Sequence, residues 1–340
     1  MFGLVAWLAM PVSALEMKAP EVPESGRALM PADTETFAEG LLEVIQDGIA
    51  YFYPDLKEAT GICLAVVGAV MAVAVIQSLP GNSQRALELA GTVSIAVILL
   101  GAANSLISLG TQTVAEISDY GKLLLPVMTA AMAAQGGLTT ASALYAGTAF
   151  FDNILSSLIG KILTPLIYLF LTLAAANSAI GDETLKKLRD AVKWVMTWSL
   201  KIILYVFTGY MGITGVVSGT TDAATLKATK LTISGMVPMV GNILSDASEA
   251  VLVSAGTIKN AAGVYGLLAV LSIWLGPFLR IGAHYLLLKL TSGICGIFGN
   301  KRMVDLIGDF STAMGFAVAM TGTVCLMLMI STVCFMKGFA

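Results

Sequence analysis

Charge is what this sequence has least of. Asp, Glu, Lys and Arg make up 12% of its 340 residues, against about 25% in an ordinary soluble domain. So few polar side chains cannot coat in water the core implied by 57% hydrophobic residues and a mean hydropathy of +0.85, whereas a bilayer removes the need. Histidine is nearly absent: His284 stands alone, which excludes most Ser-His-Asp triads and His-based zinc sites. The four cysteines (Cys63, Cys295, Cys325, Cys334) show no C-x-x-C spacing and all lie in apolar stretches, so they read as small packing residues. No P-loop, nucleophile elbow or H-E-x-x-H occurs, so no catalytic, cofactor or metal site is expected. A net charge of −3 points to no nucleic-acid partner.

What is present is long uncharged runs. Residues 59–84, 89–115, 123–151, 162–181, 202–221, 260–279 and 310–336 contain no Asp, Glu, Lys or Arg. Each is long enough to match the roughly 20 apolar residues a helix needs to cross about 30 Å of hydrocarbon. The fold expected is all-α and polytopic, with six to ten membrane segments in the lipid bilayer.

Residues 1–14 resemble the apolar core and small-residue cleavage site of a signal peptide, without the usual basic start; a retained short anchor is the other reading. Residues 16–35 are polar, Pro-rich and acidic, and read as a flexible extracytoplasmic segment. Thr36 and Glu39 have capping-box spacing. Phe37, Leu41, Val44, Ile45, Ile49 and Phe52 then recur at helical spacing, as in an amphipathic surface helix ending near Pro54. The transmembrane domain is expected over 59–340. Spans are expected near 59–79, 87–109, 162–180, 194–217 and 310–336, with a loop at 110–122. Gln135-Gly136-Gly137 breaks 123–160, leaving either two full spans or a re-entrant pair; 233–258 poses the same alternative.

An internal parallel repeat, 87–181 and 194–298, is suggested by an offset of 112 that carries Pro126 to Pro238, Pro165 to Pro277 and Gly181 to Gly293. With residues 15–58 outside, the basic stretches 181–193 and Lys301-Arg302 fall inside, as the positive-inside rule requires.

Polar residues at membrane depth are the candidate functional groups. Asn242, Asp246, Glu249, Lys259 and Asn260 read as a polar cavity or ion path, or as a structural ion pair. Arg280 and His284, at i,i+4, read as an intramembrane charge and proton group, or as packing residues. Gly209, Gly212, Gly215 and Gly219 form a small-residue stripe suited to close helix approach.

Several short motifs occur in a recognisable order: G-x-x-G-x-x-G at Gly209–Gly215, Lys227-Ala-Thr-Lys230, Val237-Pro238-Met239-Val240-Gly241, Ser245-Asp246-Ala247, Lys259-Asn260-Ala261-x-Gly263 and Gly276-Pro277. Together they resemble the stage III sporulation protein AE family of endospore-forming Firmicutes, over most of the chain after residue 40. The resemblance implies a multi-pass protein of the mother-cell membrane around the forespore. It implies a place in a channel or secretion-like complex. The implied partners are the other proteins of the same sporulation operon, including an ATPase, and a forespore-membrane protein. A secondary transporter using the polar mid-membrane site, or a non-conducting scaffold, are the alternatives.

Overall fold

The computed structural model describes residues 20–31, 36–78, 84–236 and 241–337, with the side chains of 84 and 215–258 outside that description. Among the described residues the structure is helical and holds no strand. A single turn, α1 (Glu24–Arg27), precedes α2 (Phe37–Gln77) and α3 (Gln84–Ala134). Next come α4 (Leu138–Leu158), a π turn (Ile159–Leu163) and α5 (Thr164–Ile180), which run on as one rod. The chain closes with α6 (Glu183–Met236), α7 (Gly241–Cys295) and α8 (Lys301–Lys337). Six stretches are long and apolar enough to cross a membrane: Phe37–Gln77, Arg85–Ala134, Leu138–Ile180, Glu183–Thr214, Lys259–Cys295 and Lys301–Lys337. The protein is therefore an all-α, multi-pass membrane protein.

The helices are longer than the sequence pattern implied. The amphipathic helix and the first span are one helix, α2, with Pro54 inside it. No loop interrupts α3 at 110–122. The charges there lie on the helix's outer side: Gln112 Nε2 donates to Glu116 Oε1 at 2.9 Å, and Lys122 pairs with Asp119 at 2.8 Å. Such i,i+3 and i,i+4 pairs let charged residues ride on a helix rather than end it. The inner side of the same stretch buries Val114, Ile117 and Tyr120. The backbone of 218–232 is likewise helical, within α6.

Two glycines with positive φ sit at turns among the described residues. Gly136 (φ 90°) reverses the chain after α3, so that α4 returns antiparallel to it. Residues 123–134 thus complete α3, and 138–158 form the separate helix α4 beyond the Gly136 turn. Gly181 (φ 78°) ends α5 in the left-handed conformation that favours glycine. Asp182 Oδ1 then accepts from Thr184 N at 2.7 Å and starts α6, so the basic stretch expected as a loop is almost entirely helical. The π turn sits where Pro165 requires it. Proline lacks an N–H and its ring crowds the carbonyl four residues back, and a wider turn absorbs the mismatch.

α8 is the centre of the molecule. It packs against α3, α4, α5, α6 and α7 and is buried along its length from Met303 to Phe335. Thr148 and Ser331 share a buried hydroxyl–hydroxyl hydrogen bond between α4 and α8. Phe170 meets Phe316 edge-on at 6.2 Å. The rim helices α2 and α6 expose apolar side chains instead, among them Leu64, Val75, Trp198, Ile202 and Tyr205. Lipid is the solvent that makes such exposure favourable.

Candidate functional site

The polar residues sort into two clusters at different levels of the bundle. The first surrounds Arg280, three residues beyond Pro277 on α7. Its guanidinium reaches α2, with Nε 3.5 Å from Asp55 Oδ1 and the terminal nitrogen 3.3 Å from Glu58 Oε2. A charge on a membrane helix needs a counter-charge, and Arg280 finds two. His284, one turn on, is buried, with Nδ1 2.9 Å from the Arg280 carbonyl. A carbonyl only accepts, so Nδ1 carries the proton in this contact.

Above this pair lies a cavity of ≈ 230 Å³, lined by Glu24, Ser25, Gly48, Tyr51, Asp55 and Arg280 among others. Its roof is the segment 20–31, which is docked rather than loose. Val22 and Leu29 are buried, Ser272 Oγ lies 3.3 Å from Leu29 O, and Ser25 Oγ donates to Glu116 Oε2 at 2.5 Å. The polar composition of 16–35 obscured two apolar anchors sufficient to seat a short segment on α7.

The second cluster lies nearer the end where the α5–α6 and α7–α8 turns meet. Arg189 of α6 lies 2.6 Å from Asp309 of α8 and 2.9 Å from Asp190. The Arg189 and Asp309 side chains are only 12% and 15% exposed. Asn300 donates to Glu88 Oε1 at 2.5 Å, and Arg302 lies 3.9 Å from Glu88. The start of α3, the α5–α6 turn and the α7–α8 turn therefore meet at one end.

The polar cavity expected from Asn242, Asp246, Glu249, Lys259 and Asn260 is placed only in part. Asn242, Asp246 and Glu249 lie on the backbone of α7, but their side chains fall outside the described residues. Lys259 is buried and Asn260, beside it, is exposed. Sequence reasoning missed Asp55 and Glu58 because they fell in a segment read as lying outside the membrane. The available signal was the lone cation Arg280, which demands an acidic partner on another helix. All four cysteines are free, and Cys295 and Cys325 are buried as packing residues. Among the described residues no cluster of three His, Cys, Asp or Glu side chains is placed to hold a metal.

The family model for stage III sporulation protein AE matches residues 33–338. The chain belongs to that family. Its role is therefore in sporulation, as the motif order between Gly209 and Pro277 implied. A curated relative, stage III sporulation protein AE of Bacillus subtilis (strain 168), is 23% identical over 238 residues, which is 69% of this chain and 60% of the relative. The match thus spans less than two thirds of the relative's own length. No solved structure matches.

Proposed function

We propose that this protein is a membrane subunit of a channel or secretion-like complex linking mother cell and forespore. It resides in the mother-cell membrane around the forespore, with its N-terminal segment extracytoplasmic, and supports forespore development. It is not an enzyme. Energy comes from an ATPase encoded in the same operon, and the other operon proteins and a forespore-membrane protein complete the assembly.

One observation carries this reading: the helices outreach a bilayer. α3, α6 and α7 hold 51, 54 and 55 residues. At 1.5 Å per residue each is roughly 77–83 Å long, against about 30 Å of hydrocarbon. Even when tilted, a large part of each rod stands clear of the lipid. Charge supports the direction. Arg85, Lys186, Lys187, Lys193, Lys301 and Arg302 gather at the end where the α5–α6 and α7–α8 turns meet, as cytoplasmic residues do. The Gly136 turn and the end of α8 then project into the space between the two membranes. That is where a subunit bridging to a second membrane must reach. We also propose that 87–181 and 194–298 are parallel copies. The hairpin of α3 with α4–α5 and the pair α6 and α7 support that reading.

The test is a photo-crosslinker at Leu138, which is 68% exposed beside the Gly136 turn, in sporulating cells. Capture of operon or forespore-membrane proteins is expected. Failure to capture any, together with unaided gradient-driven uptake by the purified protein in liposomes, would replace the channel-subunit reading with the transporter.

A further inference from the structure

The exposed side of α6 changes character at two tryptophans. Before them stand Lys186, Lys187 and Asp190; beyond Lys201 come Ile202, Tyr205 and Val206, in the run 202–221 that holds no charge. Trp194 and Trp198 are both exposed, with ring centroids 6.2 Å apart. At 3.6 residues per turn, Lys187, Trp194, Trp198, Lys201 and Tyr205 share an arc of about 60° on the helix. The acid at the edge of that arc, Asp190, is held by Arg189 at 2.9 Å. Lys186 is held by Glu183 at 3.7 Å. Lys187 and Lys201 make no ion pair among the described residues, and the indole N–H groups of Trp194 and Trp198 make no hydrogen bond there. The stripe thus presents two cations without a counter-charge and two donors without an acceptor.

We propose that this stripe binds anionic phospholipid headgroups, of the phosphatidylglycerol kind, in the leaflet at the basic end of the bundle. Trp and Lys carry an apolar body and a polar tip, which suits the boundary between hydrocarbon and headgroups. Lys187 stands on the water side of the indole pair. Lys201 stands on the apolar side, and helical side chains tilt toward the helix N-terminus, which carries its ammonium back toward the indoles. Phosphate oxygens at the level of the tryptophans accept from both lysines and from the indoles. A zwitterionic headgroup brings its own ammonium and leaves the lysines uncompensated, whereas a net-negative one neutralises them. Lipid is the occupant because the stripe continues into the apolar outer face of a helix long enough to span the membrane. An acidic water-soluble partner could pair with Lys187 but could not follow the stripe past Trp198 into hydrocarbon. The inference rests on the membrane residence of α6 and not on the sporulation-channel reading.

The test uses the full chain in phosphatidylcholine vesicles at low salt. Tryptophan emission is read as the fraction of phosphatidylglycerol with brominated acyl chains rises, and brominated phosphatidylcholine is the reference. A W194F/W198F chain supplies the background from Trp7 and Trp274. Each lysine near the surface is worth about a fivefold enrichment of anionic lipid. Half-maximal quenching of the Trp194–Trp198 emission is therefore expected at a mole fraction of brominated phosphatidylglycerol at least about fivefold below that of the reference lipid. K187Q/K201Q keeps both indoles and should bring the two curves together, while K187R/K201R keeps the charge and should keep the preference. Coincident curves in the parent, a preference that survives K187Q/K201Q, or one that is lost in K187R/K201R overturns the proposal.

Discussion

The two ion-pair clusters of this protein solve the same problem differently. Arg189 and Asp309 are almost fully enclosed and touch at 2.6 Å, between α6 and the central α8. Arg280 is 35% exposed and meets Asp55 and Glu58 at 3.5 and 3.3 Å, between α7 and the rim helix α2. The first fastens the core at the end where the turns meet. The second seats a peripheral helix and borders an open cavity. Depth separates the two energetically, because a buried charge stripped of its partner keeps its desolvation cost while a half-exposed one recovers water.

The largest effect is therefore expected at the enclosed pair. Removing the cation, by R189A, should destabilise the protein by about 3–5 kcal/mol, as loss of a buried ion partner does, and D309A should cost less because Arg189 keeps Asp190 at 2.9 Å. Thermal unfolding in detergent measures it. Replacing both with apolar residues of similar volume, R189M/D309L, should restore most of that loss; a double variant as unstable as the singles would mean that the pair contributes more than mutual neutralisation.

Next in size is the Thr148–Ser331 contact. S331A alone should cost about 1–3 kcal/mol, since it leaves a buried hydroxyl unpaired, and T148V/S331A should be close to neutral. The same unfolding assay separates the two cases.

Smaller again is the Arg280 cluster. R280Q should change global stability by about 1 kcal/mol or less, as half-exposed ion pairs do. Its effect should instead be local. The cavity shared by Arg280 and the docked segment 20–31 should open, so limited proteolysis at Arg27 should speed up in R280Q and not in R189A at matched folded fraction. An equal change in both variants would erase the distinction between the clusters. Smallest of all is K122A. The Lys122–Asp119 pair is 66% and 72% exposed, and its loss should be undetectable in unfolding.

How much of this was legible in the sequence follows from what each signal measures. Uncharged runs report burial in lipid and gave the membrane fold directly. They could not show that α3 continues through Glu116, Asp119 and Lys122, because charge reads as a loop, whereas i,i+3 and i,i+4 pairs let a helix carry charge without ending. Gly136 was readable as a break because glycine's backbone freedom shows in the sequence itself. The site was less legible. Arg280 stood out by its position, but Asp55 and Glu58 are more than 220 residues away in sequence, and only packing of α2 on α7 brings them together. Asp309 drew no notice, since a carboxylate at the end of an apolar run looks like a boundary until Arg189 is seen beside it.

The account depends most on α3 being one rod that carries Gly136 and Gly137 to the far end of the molecule. The direct measurement is the sidedness of cysteine labelling in intact cells, with Gly137→Cys compared with Asp182→Cys. A membrane-impermeant maleimide should label position 137 from outside and should reach position 182 only after the membrane is opened. Labelling of both positions from the same side would contradict the long-helix arrangement and the projection proposed from it.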